Sequence, residues 1–151
     1  MWAYFKGHHY LNATLNKAAH TYAGFWGDSL VAFGGVLPFP HGHIKHGWRE
    51  SRIVVLPDFQ GLGIGMKFSE AIASVYVDAG GRYFSRTAHP RMGHHRDGSP
   101  LWKPTSNNRV LQKAGNGANF RAFDERRLCW SHEYIGIHND ECGIRTALCG
   151  T

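Results

Sequence analysis

The clearest hydrophobic pattern in the chain lies between residues 53 and 87. Ile53-Val54-Val55-Leu56 is a continuous apolar run, as expected of a strand covered on both faces. A polar, glycine-rich stretch follows, and then Ile64, Phe68, Ala71, Ile72, Val75 and Ala79 recur at i, i+4, i+7 and i+8. That spacing puts one apolar stripe on a helix. Gly80-Gly81 supplies its C-terminal stop, and Arg82–Thr87 reads as the next strand. Strand, helix and strand of these lengths predict a βαβ unit with a parallel pair.

Upstream, His20–Trp26 and Ser29–Leu37 read as two strands of a hairpin turning at Gly27-Asp28. A Pro, Gly and His loop runs from Pro38 to Gly47, and the apolar strand starts as early as Trp48. Met1–Phe5 suggests a short strand and Asn12–Ala19 a turn or two of helix. Downstream, Pro90 fits the first turn of a short helix. Pro104–Arg127 is polar and reads as a long loop or flap, and Leu128–Ile137 reads as a closing strand. The expected limits are an N-terminal arm (1–18), one mixed α/β domain (19–137) and a loosely held tail (138–151).

Composition narrows the class. A chain of 151 residues with 42% hydrophobic content suits a single core and is not disordered. No window reaches the apolar length of a membrane span, and no signal peptide opens the chain. Cys129, Cys142 and Cys149 have no CxxC spacing, so free thiols in a reducing cytoplasm are expected, with one disulfide near the C-terminus left open. The formal net charge is +6, and residues 82–113 hold seven basic side chains against Asp97 alone. That segment can be a solvated basic face or can meet an anion, including a nucleic acid, with Trp102 as a stacking surface for a base. His41 and His43 have the i, i+2 spacing of strand metal ligands, but they lie in a loop without a matching partner motif, so no metal is expected.

The turn after the apolar strand carries the chemistry. A glycine-rich turn that opens a helix directs several backbone N–H groups at one point, where the helix dipole adds positive charge. Such a point binds phosphate. The dinucleotide pattern G-x-G-x-x-G fails, because Met66 or Phe68 stands where its third glycine belongs. The Walker pattern fails as well, since Gly65 is followed by Met66. The pattern Q/R-x-x-G-x-G/A after V-x-P fits, with Val55, Pro57, Gln60, Gly63 and Gly65 in its fixed positions.

On those residues the chain resembles motif A of the GNAT acyl-CoA N-acyltransferase superfamily, and the hairpin before the motif extends the likeness. The resemblance implies an antiparallel meander followed by a βαβ unit with a central splayed strand pair. It implies acetyl-CoA, or another acyl-CoA, as cofactor. The diphosphate would rest on Gln60, Gly61, Leu62, Gly63, Ile64 and Gly65, and the pantetheine arm on Val54, Val55 and Leu56. Transfer to an amine acceptor would be direct. Some members of the family place a glutamate base on this strand, and Glu50 is the candidate, provided that a bulge corrects its register; the alternative is an ion pair with Arg49 or Arg52. The family tyrosine that protonates the leaving thiolate has no counterpart between Tyr83 and Tyr134. His95 falls near its position, and an imidazolium can serve as the acid. The N-terminal region is shorter than is usual in the family, so the acceptor wall is missing, rebuilt or supplied by a partner, and His8, His9 and Tyr10 are candidates to line it. The compact size and basic second half are similar to phage-encoded GNAT-like domains, which adds a nucleobase to the acceptors. A binding module without catalysis is the reading of a different class.

Overall fold

A computed structural model describes residues 2–5, 7, 15–112, 127–136 and 145–149. Its strands are β1 (His20–Trp26), β2 (Ser29–Pro38), β3 (Gly47–Val55), β4 (Arg82–Thr87), β5 (Trp102–Pro104), β6 (Val110–Gln112), β7 (Arg127–Tyr134) and β8 (Arg145–Cys149). They form one mixed sheet in the order β5-β7-β4-β3-β2-β1-β8, with β6 paired to β7. The helices are α1 (Trp2–Phe5), α2 (Ile64–Asp78) and α3 (Pro90–Gly98). The βαβ unit read from the pattern is β3-α2-β4, and β3 pairs with β4 in parallel.

The two sheet faces are covered unequally. On one face α2 lays down Ile64, Phe68, Ile72, Ala73 and Tyr76, which join Tyr22, Val31, Val36 and Tyr83 in the main core. On the other face Phe5, Phe33 and Val54 form a smaller cluster, with Trp2, Leu15, Leu30 and Leu56 packed against it. The α1 segment is a helical turn rather than the short strand expected. Helical spacing brings both Trp2 and Phe5 onto Phe33, at ring-centroid distances of 5.2 and 5.7 Å. Strand spacing at an odd offset would have sent the two rings to opposite faces.

Two other expectations change. Residues 145–149 pair with β1 from Thr21↔Cys149 to Phe25↔Arg145, so part of the expected tail is a sheet strand. Within the expected flap, Val110–Gln112 pairs with β7, while residues 113–126 lie outside the described residues, as do His8, His9 and Tyr10. Among the described residues no helix is long and apolar enough to cross a membrane.

A polar cluster, buried at His132 and open to solvent at Arg109, ties the C-terminal end of α3 to β7. Asp97 Oδ1 accepts from His132 Nε2 at 2.9 Å and from Asn108 Nδ2 at 2.9 Å, and Arg109 donates twice to Oδ2. Burial pushes the Asp97 carboxyl up, but these three donors and the Arg109 charge outweigh it and bring the pKa down to about 2. A depressed carboxylate stabilises the fold above its ordinary value of 3.8, and that contribution is lost as pH falls toward 2. Asp97→Asn is therefore expected to cost about 2 kcal/mol at neutral pH. Urea unfolding of both proteins should show the difference shrinking as the pH is lowered from 5 to about 2, and a constant difference would remove the assignment.

Candidate active site at the gap between β3 and β4

The parallel pairing of β3 with β4 is short. It covers Gly47↔Arg82, Trp48↔Tyr83 and Arg49↔Phe84, and no further pair follows. Beyond that point β3 stays paired with β2 up to Val55↔Ala32, and β4 stays paired with β7 up to Thr87↔Trp130. The two central strands therefore part from residue 50 onward, and a gap opens beside residues 53–56.

The bulge that the Glu50 reading requires is present. The β2–β3 register passes from Gly35↔Arg52 to Val36↔Glu50, so Ser51 is the extra residue. Farther along, Leu56 N–H donates to Val31 O at 3.0 Å, so that amide belongs to the sheet. Main-chain groups alternate between the two sides of a strand. Val54 therefore turns toward β2 with Leu56, while Ile53 and Val55 face the gap. Gln60 Nε2 donates to Val55 O at 2.9 Å, which anchors the start of the turn on the strand. Of the three strand residues expected to hold the pantetheine arm, Val55 is the one whose amide points the right way.

The turn itself is open. Gly61 (φ 83°) and Gly63 (φ 78°) are left-handed, a region that side chains with a Cβ resist. A Cβ built on either glycine would meet nothing within 4 Å. Gly63 is the N-cap of α2 and offers no side chain to the first turn. Among the described residues, the amides of Gly61, Leu62, Gly63, Ile64 and Gly65 donate to no backbone carbonyl. Five free N–H groups around an uncapped helix N-terminus suit a diphosphate. Gly65 lets α2 lie close against the strand, since its Cβ would come 3.3 Å from Val55 Cγ2.

Glu50 lies at the closed end of the gap, and it is saturated. Ser69 Oγ donates to Oε2, Ser85 Oγ donates to Oε1 at 2.8 Å, and Tyr83 OH reaches Oε2 at 3.5 Å. Arg96 Nη2 lies 3.2 Å from both oxygens. Burial, and after it the Glu50 charge, push the Tyr83 phenol well above its ordinary range, so it stays a donor. Glu50 is thus in an ion pair, but with Arg96 on α3 rather than with Arg49 or Arg52.

His95 lies one residue before Arg96, and its side chain is 42% exposed. His95 Nε2 is 3.4 Å from Glu70 Oε1. Glu70 projects from α2, is buried, and also accepts from Trp102 Nε1 at 3.3 Å, with Lys67 Nζ at 3.6 Å from its other oxygen. Glu50 and His95 are not in contact; each belongs to its own network, and Arg96 bridges them by lying 4.3 Å over the Trp102 ring. Trp102 is buried, so it is no exposed platform for a base. Several cations of the basic segment are also spoken for: Arg82 pairs with Glu133, Arg96 with Glu50 and Arg109 with Asp97. His41 and His43 contact each other at a centroid distance of 6.0 Å. Among the described residues, no group of three or more His, Cys, Asp or Glu could hold a metal ion.

The parted central strand pair and the amide-lined turn are the arrangement that the motif A resemblance implies. The model of the family described as "Acetyltransferase (GNAT) family" matches residues 2–93, and the chain belongs to that family. The family uses acetyl-CoA, so the cofactor of this chain is acetyl-CoA or another acyl-CoA. Solved structures agree on the fold. The IAA acetyltransferase from Bacillus cereus is similar with a TM-score of 0.56 at 14% identity, covering 78% of each chain. An acetyltransferase from Bacillus subtilis in complex with CoA gives 0.55 at 10% identity, covering 80% of this chain and 79% of that one. The ribosomal-protein-S18-alanine N-acetyltransferase from Escherichia coli gives 0.51 at 12% identity, covering 84% and 76%. No curated protein matches the sequence.

Proposed function

We propose that this chain transfers the acetyl group of acetyl-CoA directly to a primary amine, with the diphosphate on residues 60–65 and the thioester in the gap beside Val55. The observation that carries the proposal is the end of β3–β4 pairing at Arg49↔Phe84, next to a turn with free amides. Bound acetyl-CoA supplies a thioester carbonyl that the amine attacks without an acyl-enzyme: the C–N bond forms, the C–S bond breaks and CoA leaves as its thiolate, while the amine nitrogen gives up its proton to solvent. The residues of the chain do the rest. The loop amides and the dipole of α2 neutralise the diphosphate. The gap-facing amide of Val55 donates to the oxygen on which negative charge develops. His95, held by Glu70 on one nitrogen and half open to solvent, carries the proton that the departing sulfur needs.

An amine acceptor is also what the solved neighbours named for spermidine and for a ribosomal-protein alanine have in common. A nucleic-acid acceptor draws less support, because Trp102 is buried and three arginines of the basic segment are paired within the chain.

Calorimetric titration with acetyl-CoA tests the first half of the proposal, and thiol release over a panel of amines tests the second. Absence of acetyl-CoA binding would overturn both. His95→Gln is expected to lower turnover about 100-fold with acetyl-CoA affinity retained. Unchanged turnover would take His95 out of the reaction.

A further inference from the structure

We infer that Glu50 and Arg96 form a positioning pair that sets the width of the β3–β4 gap, and that Glu50 is not the base. The inference rests on reading that gap as the acetyl-CoA site.

Glu50 is the first residue of β3 past its last pair with β4. The two strands have no ladder hydrogen bonds there to fix their separation, yet both continue in the sheet. One carboxylate takes over that task. It accepts from Ser69 on α2, from Ser85 and Tyr83 on β4, and from Arg96 on α3. Arg96 also donates to Ser85 Oγ, and to Ser69 Oγ at 2.7 Å. Every element that borders the gap is therefore tied to one ion pair. Its side chains are only 3% and 7% exposed for Arg96 and Glu50.

A base must direct a lone pair at the proton of the incoming amine. Both oxygens of Glu50 already face donors that the fold holds in place, so neither is aimed at an acceptor. The geometry suits a different task, that of holding β4 and α3 at a set distance from β3 so that the Val55 amide meets the substrate. A buried pair of this kind is asymmetric in its energetics. Removing one partner strands the other charge, whereas replacing both with neutral groups is tolerated.

That asymmetry separates a positioning pair from a base. The experiment compares the wild-type chain, Glu50→Gln, Arg96→Gln and the double variant by calorimetric titration with acetyl-CoA. Each single variant is expected to bind about tenfold more weakly, and the double variant to return to within about threefold of wild type. Wild-type affinity in the single variants, or no recovery in the double, overturns the inference. If the single variants fail to fold by circular dichroism, Ser85→Ala removes one arm of the network without stranding a charge. It should raise Kd for acetyl-CoA about threefold, and an unchanged Kd overturns the inference. Thiol release with spermidine or an alanyl peptide as acceptor gives the second readout. Recovered binding with turnover still down about 100-fold in the double variant would restore Glu50 as the base. A wild-type chain that does not bind acetyl-CoA would sink the underlying reading of the gap, an outcome distinct from any of these.

Discussion

Gly63→Val is expected to abolish acetyl-CoA binding and to leave the chain folded. Gly63 sits at φ 78°, and a β-branched residue there costs about 1–2 kcal/mol. Among the described residues, no atom beyond the neighbouring chain lies within 4 Å of the new Cβ, so the main cost to the fold is that backbone strain. The ligand loses far more. The valine stands in the concavity that the free amides of residues 61–65 surround, and relief of its strain turns those amides away. Two or three hydrogen bonds to a charged group are worth about 3–6 kcal/mol, which is more than about 100-fold in Kd. Circular dichroism and calorimetric titration together check the result. A folded variant with ordinary affinity would show that the turn does not hold the diphosphate.

The second large effect is expected at Gly93, in the middle of α3. A Cβ at this position would overlap the indole of Trp130 on β7. The helix lies directly on that ring, and His94 also packs against it, with ring centroids 5.2 Å apart. Gly93→Val must therefore lift α3 from the sheet, at a cost of about 1–3 kcal/mol. The helix carries His95, Arg96 and Asp97, so its displacement pulls the His95 imidazole from Glu70, the guanidinium from Glu50 and the carboxylate from His132. Loss of turnover should exceed what the change in melting temperature alone explains. Trp130→Phe in the Gly93→Ala background should recover part of both, because the smaller ring makes room and removes an indole N–H that is buried without a partner. Ordinary stability in Gly93→Val would contradict the packing of α3 on β7.

The parts of the site that are local in sequence were legible from it. The run Val55 to Gly65 specifies a strand, a turn and a helix start within a dozen residues, and apolar spacing fixes which face of α2 is buried. The gap was legible only through the family resemblance, since no local pattern says where two parallel strands stop pairing. Arg96 was missed because its partners lie far off in the sequence. Glu50, Ser69 and Ser85 belong to three other elements, and neither periodicity nor charge count joins them. Ser69 and Glu70 beside Phe68 are buried on α2, as is Ser74, and that burial of polar residues is visible only in the fold. The basic segment was legible only in part for the same reason. Counting charges from 82 to 113 gives an excess, while the fold matches Arg82 to Glu133, which falls outside the window counted. Trp102 was read as a stacking surface for a base, but β5 places it under Arg96 against the main core.

The pairing of β8 with β1 bears on how the molecule is made. β1 precedes its outer partner β8 by most of the described domain, so the ribosome releases the two strands at well-separated times. Until residues 145–149 emerge, the outer side of β1 presents a row of bare main-chain donors and acceptors, the kind of surface on which nascent chains can join one another. Zipping this seam requires closing the chain between Phe25 and Arg145 into one long loop, which makes it a slow and late event in folding.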